Sequence, residues 1–437
     1  MKIVYVGDNR NRMNFGCRAT STALSQILSE KHRIVGRVHG NFRNIDTEKI
    51  FYMRCLPFKA YNFLGKRKHW ELYKTFFISM IHIFRRLKVS FSPDDFITLD
   101  FEKTIENLIK CIPANKVLKE CDLRQYDFDA LVVNGEGSFV FSKNPWREAM
   151  MEATLMYWAK KMGKKVYFLN SMFSASPNCD PNFKTIELMK SLFENIDVVS
   201  VREEQSYIFA KMYFPAANIQ KCPDALFSWW DYINDDYRVT NGRYSIGHSG
   251  ADDESFYAFD FTKPYICISG SSSSEITKDY LKSIDQYCKL VKGIKKTFNI
   301  NVFIVVPDEI DNFLLDVAKK TSTPIITVDT PILTAGKILA NATVYITGRY
   351  HPSILASLGG TPCVFMGSNS HKNYSLQETL GYENPHEYNA IPDDNEIKKI
   401  LNETRIILSE GKERRIKLQE TTKELSEFAK EIGSLLK

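Results

Sequence analysis

No C-x-x-C pair occurs among the nine cysteines of this chain, and their number is odd, so neither a redox dithiol nor a fully paired disulfide framework is expected. A reducing, cytoplasmic compartment follows as the expectation. The opening residues, MKIVYVGD, lack a charged segment followed by a long apolar one, and read as a β-strand rather than a signal peptide. No apolar stretch reaches the roughly 20 residues that span a bilayer. The most hydrophobic window, TFFISMIHIF at 75–84, is far shorter and contains a histidine. There is no massed basic arm, since the net charge of +6 is spread over 437 residues, and nucleic acid is therefore not an expected partner. Also missing are a G-x-G-x-x-G fingerprint, an internal repeat and any cysteine or histidine spacing suited to a metal, so no metal and no cofactor are expected.

What is present is an alternation of short β-rich runs with stretches of helical period. That pattern belongs to βαβ units, in which a parallel sheet is covered by helices on both faces. At ~150 residues per domain, the length suggests two large domains or three small ones. In the first half the strands read KIVYVGD (2–8), RIVGRVHG (33–40), ALVVNGEG (130–137), KKVYFLNS (164–171) and DVVSVRE (197–203). The alternation fails where aspartate, glycine, serine and aromatic residues mix without period, and restarts with PYICISG (264–270), VFIVVPD (302–308), PIITVD (324–329), TVYITG (343–348) and CVFMG (363–367). The fold class is α/β, with two Rossmann-like doubly wound domains in series and a cleft between them. The division reads as an N-terminal domain over 1–235, a linker over 236–263, a C-terminal domain over 264–405 and a helix over 406–437 that packs back on the first domain.

Residues 41–125 exceed what a crossover needs and form an inserted segment. Its stretch FYMRCLPFKAYNFLGKRKHWELYKTFFISMIHIFRRLK is dense in aromatics, lysine and arginine. Two readings stand: a helical subdomain with its own small core, or a basic aromatic surface that rests on anionic lipid at the inner face of the plasma membrane.

Ligands of open parallel sheets bind beyond the carboxyl ends of the strands, so the loops there carry the candidate chemistry. Arg349 and His351 fall between the strand TVYITG and a helix that Pro352 opens and Gly359-Gly360 closes. A guanidinium and an imidazole at a helix N-terminus suit an anion with planar oxygens. The next loop supplies His371 and Lys372, and the run after PYICISG supplies Ser271 and Ser272, with Glu275 placed to close a capping box on Ser272. These six residues form the expected donor set. In the first domain, GDNRNRMNFGCRA at 7–19 and the glycine loop NGEGSF at 134–139 offer Asp8, Asn14, Arg18 and Glu136. Asn14, Arg18 and Glu136 are expected on the acceptor side, with Glu136 or Asp8 as general base and His351 as general acid.

Six motifs in order now resemble one family: N-F-G (Asn14 to Gly16), the glycine loop at Gly135 to Gly137, V-S-V-R-E-x-x-S (Val199 to Ser206), P-D-A-L (Pro223 to Leu226), R-Y-H (Arg349 to His351) and S-H-K-N (Ser370 to Asn373). They are similar to those of polysaccharide pyruvyl transferases. Two departures are Cys17-Arg18, where many relatives carry an acidic residue, and Glu136, where many have glycine. The resemblance implies a GT-B-like pair of domains. It further implies transfer of the enolpyruvyl unit of phosphoenolpyruvate to two hydroxyls of a sugar in a cell-surface polysaccharide or its lipid-linked precursor, with Arg349 and His351 at the donor. Two other readings remain open: a GT-B glycosyltransferase using a nucleotide-sugar, with Arg349, His351 and Lys372 on the diphosphate, and a silent relative that binds glycans or scaffolds an assembly complex.

Overall fold

The computed structural model describes residues 1–40, 42, 97–112, 116–142, 147–175, 180–235 and 259–437. The basic aromatic stretch at 51–90 and most of the linker lie outside the described residues.

Two parallel sheets organise the chain. The first contains β1 (Lys2–Asp8), β2 (Arg33–His39), β3 (Ala130–Val140), β4 (Lys165–Ser174), β5 (Val198–Val201) and β6 (Ile219–Lys221), in the order β2-β1-β3-β4-β5-β6. The second contains β7 (Tyr265–Ser271), β8 (Asn301–Val305), β9 (Ile325–Ile326), β10 (Val344–Gly348) and β11 (Cys363–Phe365), in the order β11-β10-β7-β8-β9. All seven residues of β7 are buried, as are all five of β10. Such unbroken burial is why these strands read as apolar runs rather than as alternating ones.

Helices of eight residues or more cover both faces: α1 (Phe15–Lys31), α2 (Phe101–Cys111), α3 (Arg147–Lys161), α4 (Phe183–Phe193), α5 (Glu204–Tyr213), α6 (Tyr280–Phe298), α7 (Phe313–Thr321), α8 (Ile332–Asn341), α9 (Tyr350–Leu358), α10 (Lys372–Thr379) and α11 (Asp394–Lys430). α11 starts on a capping box between Asp393 and Glu396 and bends at Gly411, whose φ of 56° and ψ of −126° are open to glycine alone. Beyond the bend the chain ends against the first sheet, where the Tyr167 hydroxyl donates to the Lys437 carbonyl at 2.8 Å and the His32 ring meets the Gly433 carbonyl at 3.1 Å.

Each sheet reverses its strand order once, between β1 and β3 and between β7 and β10. Those reversals open the crevices where loops diverge. The two crevices face each other, because the backbone N–H of Phe15 donates to the Pro307 carbonyl at 2.8 Å and Asn14 bridges to Asp308. One apolar cluster passes from one domain into the other, taking in Phe15, Leu24, Tyr345, Leu355, Leu418 and Ile432.

Three local expectations change. NGEGSF is not a loop, since β3 continues through it to Val140 with a register break against β4 between Glu136 and Phe139. Glycine and glutamate there relax the strand without ending it. β6 is too short, with one buried position in three, to leave a periodic signal. The capping box on Ser272 does not form: β7 runs to Ser271, and the short helix Glu275–Lys278 has Ser274 as its cap without a side-chain hydrogen bond.

Candidate active site

Arg349 is the N-cap of α9 and His351 lies in its first turn, so two basic side chains occupy the positive end of a helix. That placement is unfavourable unless anions answer it. Carboxylates from other elements do so. The Arg349 Nε donates to Asp311 Oδ2 at 2.8 Å and its Nη1 to Asp308 Oδ2 at 3.1 Å, both from the turn after β8. Its Nη2 is buried and has no partner. Burial raises the Asp311 carboxyl to about 6, against the pull of Arg349.

His351 is answered across the cleft. Its Nε2 lies 3.2 Å from Asp224 Oδ2 and 3.1 Å from the Arg202 Nη1, which itself donates to the same Asp224 oxygen at 2.8 Å. Asp224 is completely buried, yet His351 and Arg202 hold its carboxyl below the usual carboxylate range. The Arg202 guanidinium lies 4.4 Å above the Tyr350 ring, and its Nε is buried without a partner. Gly16 closes the other side of the imidazole, where an added Cβ would come within 2.5 Å of His351 Nδ1. This contact is the reason for glycine in N-F-G.

Lys372 opens α10, and its Nζ donates to Asn369 Oδ1 at 2.7 Å. Burial, then the charges of Arg349 and Arg202, push its ammonium down to about 7. Ser272 reaches the same Asn369 Oδ1 at 3.4 Å, whereas Ser271 is buried and donates to the Gly367 carbonyl, joining the two loops instead of facing the cleft. His371 turns to the first domain, with Nε2 3.1 Å from Glu203 Oε1.

On the facing wall, Glu136 adopts a left-handed φ of 37°, uncommon for a side-chain-bearing residue. Its Oε1 accepts from Asn9 Nδ2 at 2.7 Å, Asn134 Nδ2 at 3.0 Å and Ser21 Oγ at 3.1 Å. The Cys17 thiol also hydrogen-bonds this carboxylate and, through burial and then that charge, is pushed well above its usual range. Glu152, fully buried below, receives Ser138 Oγ at 3.1 Å and has its pKa raised well above the carboxylate range by burial and by Glu148.

Three expected residues sit differently. Asp8 is gripped by Arg10 through both oxygens, at 2.8 and 2.7 Å, and by Arg37 at 3.2 Å; burial opposes ionisation, but the arginines win and lower its pKa. A carboxylate so engaged is a poor general base. Asn14 caps α1 through Cys17 N at 2.9 Å and donates to Asp308, while Arg18 donates to the Val328 and Thr330 carbonyls of the second domain. Both fasten the two domains together, although the Arg18 Nε is buried without a partner.

Arg202, Asp224, Asp308 and Asp311 were not among the expected residues, although Arg202 and Asp224 stand in two of the motifs. Applying the strand-end rule to β5 and β8, as it was applied to β10, would have found Arg202 and Asp308.

The model of the polysaccharide pyruvyl transferase family matches residues 17–370. No curated protein matches the chain by sequence. Among solved structures, UDP-GlcNAc 2-epimerase from Neisseria meningitidis, bound to UDP-GlcNAc, superposes with a TM-score of 0.52 at 9% identity, over 98% of this chain and 99% of that one. The UDP-GlcNAc 2-epimerase of Methanocaldococcus jannaschii gives 0.49 at 10% identity, over 93% of each chain. At such identities the first likeness concerns the fold alone, which is of the GT-B type.

Proposed function

The chain belongs to the polysaccharide pyruvyl transferase family, and from that premise we propose that it transfers the enolpyruvyl unit of phosphoenolpyruvate to two hydroxyls of a sugar, forming a cyclic ketal and releasing phosphate. The observation that carries the choice of donor is the convergence of Arg349, Arg202 and Lys372, in which the two arginines, after burial, make the charge on the lysine costly. A ligand with both a carboxylate and a phosphate relieves that repulsion. The unpartnered Nη2 of Arg349 and Nε of Arg202 are the N–H groups left over for it.

His351 is braced by Asp224 and Arg202, so its imidazole helps fix the arginine that meets the anion. Glu136 is held rigidly on the opposite wall and serves as base toward the first sugar hydroxyl. A sugar of an oligo- or polysaccharide, free or lipid-linked, is the acceptor. No helix among the described residues is long and apolar enough to cross a membrane.

Calorimetric titration tests the donor. Saturable binding of phosphoenolpyruvate, with no heat from a nucleoside diphosphate, is expected. Binding of the diphosphate with indifference to phosphoenolpyruvate would assign the site to a nucleotide-sugar instead.

A further inference from the structure

The proposed transfer needs a group that protonates the methylene carbon of the donor, and the imidazole of His351 is poorly free to do so, with Nε2 shared between Asp224 and Arg202 and Gly16 against its Nδ1 edge. A different pair lies at the same end of the second sheet. Lys372 opens α10 beside Asn369, within electrostatic reach of Arg349, Arg202, Cys17 and Glu387. Glu387 accepts the Ser368 N–H on Oε2 at 3.2 Å, while its Oε1 is buried with no partner. The same carboxyl lines a cavity of about 490 Å³ between the domains, together with His371, Ser370 and Tyr374.

Resting on the donor assignment above, we propose that Lys372 is the catalytic acid that delivers the proton to the donor's methylene carbon, and that Glu387 passes protons to Lys372 from water in the adjoining cavity. The electron pair of the C2–C3 double bond takes a proton from the Lys372 ammonium, whose N–H bond breaks to leave a neutral amine. The first sugar oxygen bonds to the cationic C2, and its proton passes to Glu136 and on to solvent. Glu387 returns one proton to the amine and takes another from water. The second hydroxyl then displaces phosphate from C2, the C2–O bond breaking with its electron pair kept by the phosphate oxygen, and the hydroxyl proton leaves as part of hydrogen phosphate.

The electrostatics agree with this division. Burial raises the Glu387 carboxyl to about 7, against the Ser368 N–H and the charges of Lys372 and His371. Lys372 also sits at about 7, lowered by burial, Arg349 and Arg202, and supported by Glu387. Burial loosens the proton of the lysine and tightens that of the carboxyl, and both changes favour exchange between them. His371 is itself occupied by Glu203.

The deciding variant is Lys372→Arg, which keeps the positive charge but cannot release a proton near neutral pH. Donor affinity within a few-fold of the parent, with turnover lower by about 10²-fold or more, is expected. Because the ammonium must be charged to act, activity of the parent should fall as pH rises past about 7. Glu387→Gln removes the nearby negative charge that supports the ammonium, so that limb should move to lower pH. Retained turnover in Lys372→Arg, or an unmoved limb in Glu387→Gln, overturns the assignment while phosphoenolpyruvate use by the parent stands. A parent that consumes no phosphoenolpyruvate overturns the functional reading, and this one with it. Should either variant misfold, ¹³C reductive methylation of the parent gives the Lys372 midpoint directly by NMR; a value near 7 supports the assignment, and one near the ordinary ~10.4 overturns it.

Discussion

At the level of single residues, charge at this site is arranged in opposed pairs, and Arg349 and Arg202 each keep one buried nitrogen without a partner. Arg349 spends two of its donors on Asp308 and Asp311, which lets a cation be buried at the N-terminus of a helix. Arg349→Ala should weaken donor binding by roughly 2 kcal/mol or more, the scale of a lost charge-assisted bond to a buried group. The substitution also strands Asp311, so the double variant with Asp311→Asn separates binding from folding; calorimetry on a folded double variant that still binds phosphoenolpyruvate like the parent would remove Arg349 from the donor site. Arg349 and His351 were legible in the sequence because a strand, a proline and a glycine pair frame them within twelve residues of one another. Asp224 was not, since the contact with His351 that gives it its role joins distant parts of the chain, whereas Arg202 lay within reach of the strand-end rule. The surroundings of Asp8 were only partly legible: nothing local to GDNRNR shows that Arg37, brought in by β2, will share its carboxylate with Arg10.

At the level of elements, the buried strands were the most readable part of the chain, because a parallel strand covered on both faces must be an apolar run. Edges and interruptions were less so. β3 was cut short in the reading by its glycines, yet those residues let the strand carry Glu136 at a left-handed φ within the crevice beside β1. The N-terminus of α1 is the element that joins the two walls, with Asn14 as both its cap and its link to Asp308. Gly16 tests that junction. In Gly16→Ala the new methyl would meet the ring of His351, at 2.5 Å from Nδ1 and 2.7 Å from Cβ, so either the imidazole or the helix must shift. Turnover is expected to drop by an order of magnitude or more, since displacement of about 1 Å in a positioned group can cost ~10²-fold. Kinetics indistinguishable from the parent, in a variant with unchanged thermal midpoint, would show that His351 does not need its present place.

For the whole molecule, the two sheets reverse their strand order at crevices that face one another, and the apolar cluster joining Leu24 to Leu355 and Leu418 sets their distance. Neither the strand orders nor the seam could be read from periodicity, which reports a residue's burial but not its partner. What the arrangement achieves is convergence: Arg202, at the end of β5, meets His351 and the Tyr350 ring of the second domain, while Glu136 lies at the crevice beside β1. Domain closure over a donor and a sugar would shut water out between these walls. The transfer proposed for this arrangement makes a ketal at the expense of phosphoenolpyruvate, and product analysis tests it most directly. The purified protein is incubated with phosphoenolpyruvate and a panel of glycosides bearing neighbouring free hydroxyls, and products are read by mass spectrometry alongside released phosphate. The expected result is a pyruvyl ketal on at least one glycoside, with one phosphate released per ketal formed; glycosyl transfer from a nucleotide-sugar to the same panel, with phosphoenolpyruvate left intact, would contradict it.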